Sequence, residues 1–475
     1  MSVTLLERDG GHQELSAFDQ GLLIAVEDLR RQFPEGDYTL GEALAAFAQQ
    51  EDPDSYAEID VDGANMKSWR IRTPRPVEGP DSGGIRFDGE VDKSEVTTLS
   101  KMMKIKAILH DLTGAAKGGV AVEYRDGFFY PIGESEPLND AQVRLMCAKH
   151  AQAHNYNPMS NVGATDLNTQ PRHMGYMIDG LKKKLGNMAY ACFTGAPSTH
   201  SEWSDFRDVA TGKGGALATE EYVRWNSKLR ERINAGETLD VTAQGVGKAG
   251  WPYIDNMPNG LGLRAVSDAH GGVRAQPGYH LDPAQVRQWV LKNGLSKEIA
   301  GELPEGVEWI EKHELWDTPA DIVVPAFREN QIDGPIAEKL INNGTSLIVE
   351  LANHPLTPEA EALFLLAGID VLFGELANGG GRSGSHWEWA NQLNKYQGIR
   401  VEADLESYQH HWEQRFRSVV TRSLRVAAAA RKMAKADANG DECAANVITL
   451  RRSSNTMVVK RAIDELRAVA PSPLC

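Results

Sequence analysis

Two lysines, Lys106 and Lys117, stand eleven residues apart in a stretch from Gly79 to Gly119 that glycines frame at both ends. Its front end reads Gly83-Gly84-Ile85-Arg86, and its far end Gly114-Ala115-Ala116-Lys117-Gly118-Gly119. Glycine lets backbone approach a ligand closely. A lysine beside such backbone can hold a carboxylate, or lose its charge by desolvation and act as a base. Further on, Asp166 closes the run Gly163-Ala164-Thr165-Asp166. Taken alone, this acid reads as a cap or turn residue.

A second constellation points to a nucleotide. Leu239 to Ala243 has the composition of a strand and runs into Gln244-Gly245-Val246-Gly247-Lys248-Ala249-Gly250. A helix of about ten residues is expected next, then a strand over Leu261 to Val266 that ends at Ser267-Asp268. In this context GxGxxG has a mechanism. Gly245 makes the turn, Gly247 admits the pyrophosphate to the backbone, and Gly250 lets the helix pack on the sheet. The amides from Val246 to Ala249 open the helix, where free N–H groups face an anion. Asp268 lies 23 residues past Gly245, the usual place for a ribose-binding acid.

The elements that must position these groups follow from periodicity. Val91 to His110 predicts a helix with Lys106 at its end. Thr113 to Gly119 reads as a small-residue turn, Gly163 to Asp166 as a loop, and Ala210 to Gly215 as a glycine-rich junction. Short apolar runs at Asp321–Ala326, Leu347–Glu350 and Asp370–Phe373 suit parallel strands covered on both faces. Asn353 and Asn378 each fall just past such a strand, where sheet ligands bind. Gly379 to Ser385 is a third glycine-rich segment before a tryptophan-bearing helix. Residues 436–445 read as a loop, and Met457 to Val469 as a final helix.

Composition bounds the rest. The chain has 475 residues, room for two or three domains. A formal net charge of −16 argues against a nucleic-acid partner. The four cysteines show no CxxC spacing and the histidines are scattered, so a reduced, cytoplasmic protein without a metal site is expected. No basic segment followed by an apolar run opens the chain, and Asp370 and Glu375 interrupt its most apolar stretch, so no signal peptide and no membrane span are expected.

The order of these motifs resembles the glutamate/leucine/phenylalanine/valine dehydrogenase family, and its glutamate enzymes most closely. The resemblance covers roughly residues 65 to 395 and adds Arg207 with Ala210-Thr211-Gly212, Pro325 with Glu329-Asn330-Gln331, Ala352-Asn353 with Pro355-Leu356-Thr357, and Asn378 through Trp389. It implies an α/β protein of two domains, a split substrate and oligomerisation domain and a Rossmann-type nucleotide domain, with catalysis in the cleft between them. The boundaries expected are 1–212, 213–378, and 379–475 as helices returning to the substrate domain. By resemblance Lys106 holds the substrate α-carboxylate, Lys117 activates water, and Asp166 relays protons to and from the amine. Ser82, Gly84, Asn378, Arg382, Gly384 and Ser385 border the substrate. Thr211, the glycine-rich loop, Asp268, Asn353 and Asn378 border the cofactor. The reaction implied is reversible NAD(P)-dependent oxidative deamination of an L-amino acid, with L-glutamate the leading substrate and a homo-hexamer the expected assembly.

The chain departs from the glutamate enzymes at Ser82, where they carry a lysine for the side-chain carboxylate, and at Gly384, where they tend to carry valine. Arg382 is a candidate replacement for the missing charge. A different or larger L-amino acid is therefore an alternative substrate. A non-catalytic nucleotide-binding regulator is a third reading, opposed by Lys106, Lys117 and Asp166 occurring together. Asp268 favours NAD over NADP, while His270 is placed where it could meet a 2′-phosphate.

Overall fold

A computed structural model describes residues 4–6, 12–14, 17–50, 52, 55–201, 203–398, 405–437 and 450–469. The loop expected within 436–445 lies almost wholly outside these residues. The chain divides into two compact units. Unit 1 comprises 1–207, 385–403 and 455–475, and unit 2 comprises 208–384 and 404–454. The first boundary falls at Arg207, inside the helix Ser204–Trp225, which also runs through residue 212. The C-terminal helical residues are shared between the units instead of all returning to the first.

Unit 1 opens with a small antiparallel pair, β1 (Thr4–Leu6) and β2 (His12–Glu14). Its main sheet holds β3 (Tyr56–Val61), β4 (Ala64–Thr73), β5 (Asp81–Asp88), β6 (Ala115–Arg125), β8 (Asn161–Thr165) and β9 (Phe193–Thr194) in the order 3-4-6-5-8-9. The hairpin strand β7 (Phe128–Pro131) pairs with β6. β5 is thus central, parallel to β6 on one side and β8 on the other.

Side chains alternate across a strand. Ile85 and Phe87 of β5 enter a core with Val120 and Val122 of β6 and with Met146, Met174 and Ile178 from helices Asp140–Ala153 and Pro171–Leu185. The opposite face carries Gly84 and Arg86. Helix Lys93–Leu109 packs on β6 and β4, and Val96 joins Trp69, Ile71 and Ala121 in a second small core. That helix starts where Asp92 accepts the Glu95 amide at 2.7 Å, an N-cap bond that supplies one of the helix's unpaired donors.

Two segments expected to be turns are strand. Lys117 lies inside β6 and Gly163 to Thr165 inside β8. Their small residues serve close packing: a Cβ on Gly163 would meet the Phe193 ring at 2.6 Å.

In unit 2 the sheet order is 13-12-11-10-14-15-16. Its strands are β10 (Leu239–Gln244), β11 (Leu261–Ser267), β12 (Gly272–Ala275), β13 (Val307–Ile310), β14 (Ile322–Pro325), β15 (Leu347–Val349) and β16 (Asp370–Leu372). β11, β10, β14, β15 and β16 are mutually parallel, and β12 and β13 complete one edge antiparallel. The chain leaves β10 toward β11 and later returns to its other side as β14. That reversal makes a topological switch point at the carboxyl ends of β10 and β14, where ligands bind in such sheets.

The glycine-rich segments at 210–215 and 380–385 are helical. They lie in helices Ser204–Trp225 and Gly380–Tyr396. A Cβ on Gly214 would sit 3.1 Å from the Gly380 Cα, so the glycines let two helix backbones touch. The helix after the glycine-rich loop is shorter than expected, Gly250–Asp255. Among the described residues no helix is long and apolar enough to cross a membrane.

Candidate active site

Across the face of β5 opposite the core, two side chains from its neighbouring strands meet. Lys117 comes from β6 and Asp166 from the residue just past β8. Lys117 Nζ lies 2.8 Å from Asp166 Oδ2. Two strand spacings separate their backbones, about 10 Å, so both side chains must reach over β5. Gly84 makes this possible: a Cβ there would meet the Asp166 Cβ at 2.7 Å.

Arg86 completes the group. Its Nε donates to the same Asp166 oxygen at 2.9 Å, and its Nη1 pairs with Glu95 Oε1 from the first turn of helix Lys93–Leu109. Lys117 is 3 % exposed and Asp166 20 %, so the carboxylate is the member that solvent or substrate reaches. Burial pushes the Lys117 ammonium below its ordinary value; Asp166 opposes that shift and Arg86 adds to it. Burial alone would raise Asp166, but the Lys117 and Arg86 cations hold its carboxyl well below the usual carboxylate range. The group pairs a base-forming lysine with a carboxylate that stays ionised.

A buried network holds the strands in register. Arg70 of β4 donates to Gly83 O at 3.1 Å, to Val162 O at 2.7 Å and to Asn161 Oδ1 at 2.9 Å. It thereby clamps β5 to β8 directly behind the site. Ser68 Oγ lies 2.7 Å from both His150 Nδ1 and His154 Nε2, and His150 Nε2 lies 2.9 Å from Tyr156 OH, over whose ring Arg70 sits.

The other expected substrate residues are placed as follows. Lys106 is buried in the last turn of its helix. Ser82 is buried on β5, two residues from Gly84 and so on the same face. Ser385 bonds Thr194 of β9, and Glu388, one turn on, accepts the Gly195 amide at 2.8 Å. Arg382 and Gly384 are buried in helix Gly380–Tyr396. Arg86 is the cation whose charge acts against the Lys117 ammonium.

In unit 2 the nucleotide loop has the geometry its glycines imply. Gly245 has φ +92°, the left-handed region that a side chain disfavours. A Cβ on Gly250 would collide with the Gly245 carbonyl, so only glycine lets the helix begin there. A Cβ on Gly247 would meet nothing within 4 Å, leaving open space over an exposed backbone. Val246 is buried beneath the loop, Lys248 is exposed, and Ala249 and Thr211 are half-buried. This cradle fits a dinucleotide pyrophosphate. Asp268 sits at the end of β11 and accepts the amides of His270, Gly271 and Leu295 at 2.7, 3.2 and 2.8 Å. Asn378 Nδ2 donates to Leu351 O, Ala352 O and Asn353 Oδ1 at 3.2, 3.1 and 3.2 Å. The two asparagines predicted past separate strands therefore form one amide cluster.

Sequence reasoning assigned no role to Arg86 or Glu95. Arg86 stood in a quoted motif, a signal that was available. Glu95 reaches it from another element and carried none.

Comparison with known proteins agrees with both halves. Residues 204–451 match the model of the Glutamate/Leucine/Phenylalanine/Valine dehydrogenase family, and residues 59–183 match that of the Glu/Leu/Phe/Val dehydrogenase dimerisation domain. The NADP-specific glutamate dehydrogenase of Saccharolobus shibatae is 32 % identical over 351 residues, 72 % of this chain and 76 % of that one. Glutamate dehydrogenase A2 of Halobacterium salinarum is 29 % identical over 404 residues, 83 % and 85 % of the two chains. Among solved structures, the hetero-hexameric glutamate dehydrogenase of Thermus thermophilus in its Leu-bound form superposes with a TM-score of 0.70 at 24 % identity, covering 96 % of this chain and 99 % of that one. Plasmodium falciparum glutamate dehydrogenase 2 gives 0.72 at 20 % identity, covering 95 % and 92 %.

Proposed function

We propose that this chain, which belongs to the glutamate/leucine/phenylalanine/valine dehydrogenase family, oxidises L-glutamate to its 2-oxo acid and ammonia, reversibly. It is an NAD(P)-dependent amino acid dehydrogenase. The observation that carries the reading is the Lys117–Asp166 contact, a base and a proton carrier meeting at one carboxylate oxygen.

The chemistry assigns each residue a task. Lys106 holds the substrate α-carboxylate as an ammonium. Asp166, kept ionised, takes a proton from the α-ammonium so that the nitrogen lone pair is free to form the C=N bond. The nicotinamide, when bound, accepts the hydride that leaves Cα. Lys117, whose ammonium burial and Arg86 make easier to deprotonate, acts as the free amine and takes a proton from the water that attacks the iminium carbon. Asp166 returns its proton to the nitrogen and, ionised again, takes the carbinolamine hydroxyl proton as the C–N bond breaks, so the carbonyl of the 2-oxo acid forms and ammonia leaves. Lys117 and Asp166 then release the protons they took, so one amino acid in its ammonium form, one water and one oxidised cofactor give one oxo acid, one ammonium ion, one reduced cofactor and one proton.

NAD is the proposed cofactor. Three amides orient the Asp268 carboxylate at the end of β11, two on Oδ1 and one on Oδ2, so that Oδ2 retains a lone pair for a ribose hydroxyl and the charge repels a 2′-phosphate. A homo-hexamer is the proposed assembly, supported by the dimerisation-domain match over residues 59–183. A reducing, cytoplasmic setting is proposed from the buried free thiols of Cys147 and Cys192.

A different or larger L-amino acid is the second reading, favoured by buried Ser82 where a lysine would bind the side-chain carboxylate. The test follows NADH or NADPH absorbance with glutamate, leucine, phenylalanine and basic amino acids. Glutamate should give the highest kcat/KM. A preference of roughly 100-fold for another amino acid, about 2.7 kcal/mol in the barrier, overturns the glutamate reading. No turnover with any of them, alongside retained nucleotide binding, overturns catalysis itself.

A further inference from the structure

One guanidinium, that of Arg86, is shared by two carboxylates. Nε faces Asp166 and Nη1 faces Glu95. Glu95 belongs to neither strand of the Lys117–Asp166 pair; it comes from the first turn of helix Lys93–Leu109. Its second oxygen, Oε2, is buried and takes no hydrogen bond among the described residues. The carboxylate is therefore held by Arg86, with Asp88 as its acidic neighbour. The charges alternate in sequence: Lys117 positive, Asp166 negative, Arg86 positive, Glu95 negative.

An acid in a helix's first turn can act merely by complementing the helix dipole. The geometry here does more. A helix-end acid has no need to turn inward onto a buried arginine and leave one oxygen dry, which costs desolvation. We infer that Glu95 is a positioning residue: it anchors the Arg86 guanidinium, takes up part of its charge, and so sets the protonation balance of Lys117 and Asp166. This inference rests on Lys117 being the base, as proposed above. Without the Glu95 charge, Arg86 presses its full charge on the pair. The Lys117 ammonium becomes harder to keep, since Arg86 already acts against it and Glu95 in its favour. Asp166, Arg86, Glu95 and Asp88 are the charged groups that act within this network.

The test uses the full chain and its Glu95→Gln and Glu95→Asp variants. The protonation of Lys117 is read without turnover, from the pH dependence of its acetylation by acetic anhydride, located by peptide mapping. In parallel, kcat/KM for glutamate is measured across pH, its acid limb reporting the free enzyme's base. In Glu95→Gln both midpoints should move to lower pH by about one unit. Glu95→Asp keeps the charge and should bring both midpoints most of the way back. If labelling shifts but the acid limb does not, Glu95 has the role inferred and Lys117 is not the base. If labelling midpoints match the wild type in a variant that melts cooperatively, the inference is overturned, and Glu95 only supports the helix. Should Glu95→Gln not fold, Glu95→Ala decides on the same labelling readout. It removes the charge while keeping a strong helix former at that position, and an unshifted midpoint there overturns the inference.

Discussion

Lys117 Nζ lies 2.8 Å from Asp166 Oδ2 across β5, which presents glycine to Asp166 at position 84. The reactive pair thus depends on a residue that makes no chemical contribution of its own. Gly84→Ala places a Cβ against the Asp166 Cβ and must push the carboxylate aside. We expect kcat to fall on the order of 100-fold, as misplacement by about 1 Å can cause, with stability lowered by about 1–3 kcal/mol. Steady-state kinetics beside urea unfolding separates the two effects.

Removing the lysine removes the proposed base, which as its ammonium is also one of the two cations on Asp166. Lys117→Ala should lower kcat by roughly 1,000-fold or more, with cofactor affinity unchanged, since the glycine-rich loop lies in the other unit. Nucleotide binding is checked by quenching of protein fluorescence. Turnover within about tenfold of wild type would remove Lys117 from the mechanism.

The pair also has a folding consequence. Asp166 has a folded-state pKa below its unfolded value, so the stabilisation is full above about pH 4 and is lost as pH falls below that. Wild type should therefore lose stability toward acid more steeply than Asp166→Asn. Melting curves taken between about pH 3 and 7, to span the ordinary carboxylate range, decide it. Parallel decline of the two proteins would show that Asp166 carries no such stabilisation.

A lysine outside the site makes the opposite prediction at high pH. Lys104 is buried under the Ala46 and Pro74 carbonyls, and burial pushes its ammonium down to about 8. Its folded pKa lies below its unfolded one, so keeping it charged is a penalty at lower pH. That penalty is relieved as pH rises from about 8 toward the ordinary lysine value, at up to about 1.4 kcal/mol per pH unit. Relative to Lys104→Met, wild type should gain stability across this window and show no relative slope below it.

How much of this was legible follows the range of each interaction. The nucleotide site is local. Strand, GxGxxG, helix, strand and acid all fall between Leu239 and Asp268, and the steric demands at Gly245 and Gly250 are written in the chain. Lys117 and Asp166 were found by type and context, but their strands were read as turns, because small residues that pack strands also make turns. The same ambiguity hid the glycine-rich starts of two helices, at Gly214 and Gly380, whose glycines face each other instead of bending the chain. The Arg70 clamp reaches Val162 across a long separation in sequence, and no periodicity announces it.

The second proposed substrate reading turns on Ser82, buried on the site face of β5. Ser82→Lys would put an ammonium there, the group that the family's glutamate enzymes use for the side-chain carboxylate. With glutamate bound, the charge is paired, and a charge-assisted bond of this kind contributes about 1.5–3 kcal/mol. Without it, the ammonium is buried and unpaired, which destabilises the chain. The variant should therefore gain about tenfold or more in kcat/KM for glutamate and lose activity on leucine and phenylalanine. It should also melt lower than wild type alone, and recover more than wild type does when glutamate is added, since a ligand stabilises the state it binds. A loss of glutamate turnover with no recovery on adding glutamate would show that Ser82 does not face the side-chain carboxylate.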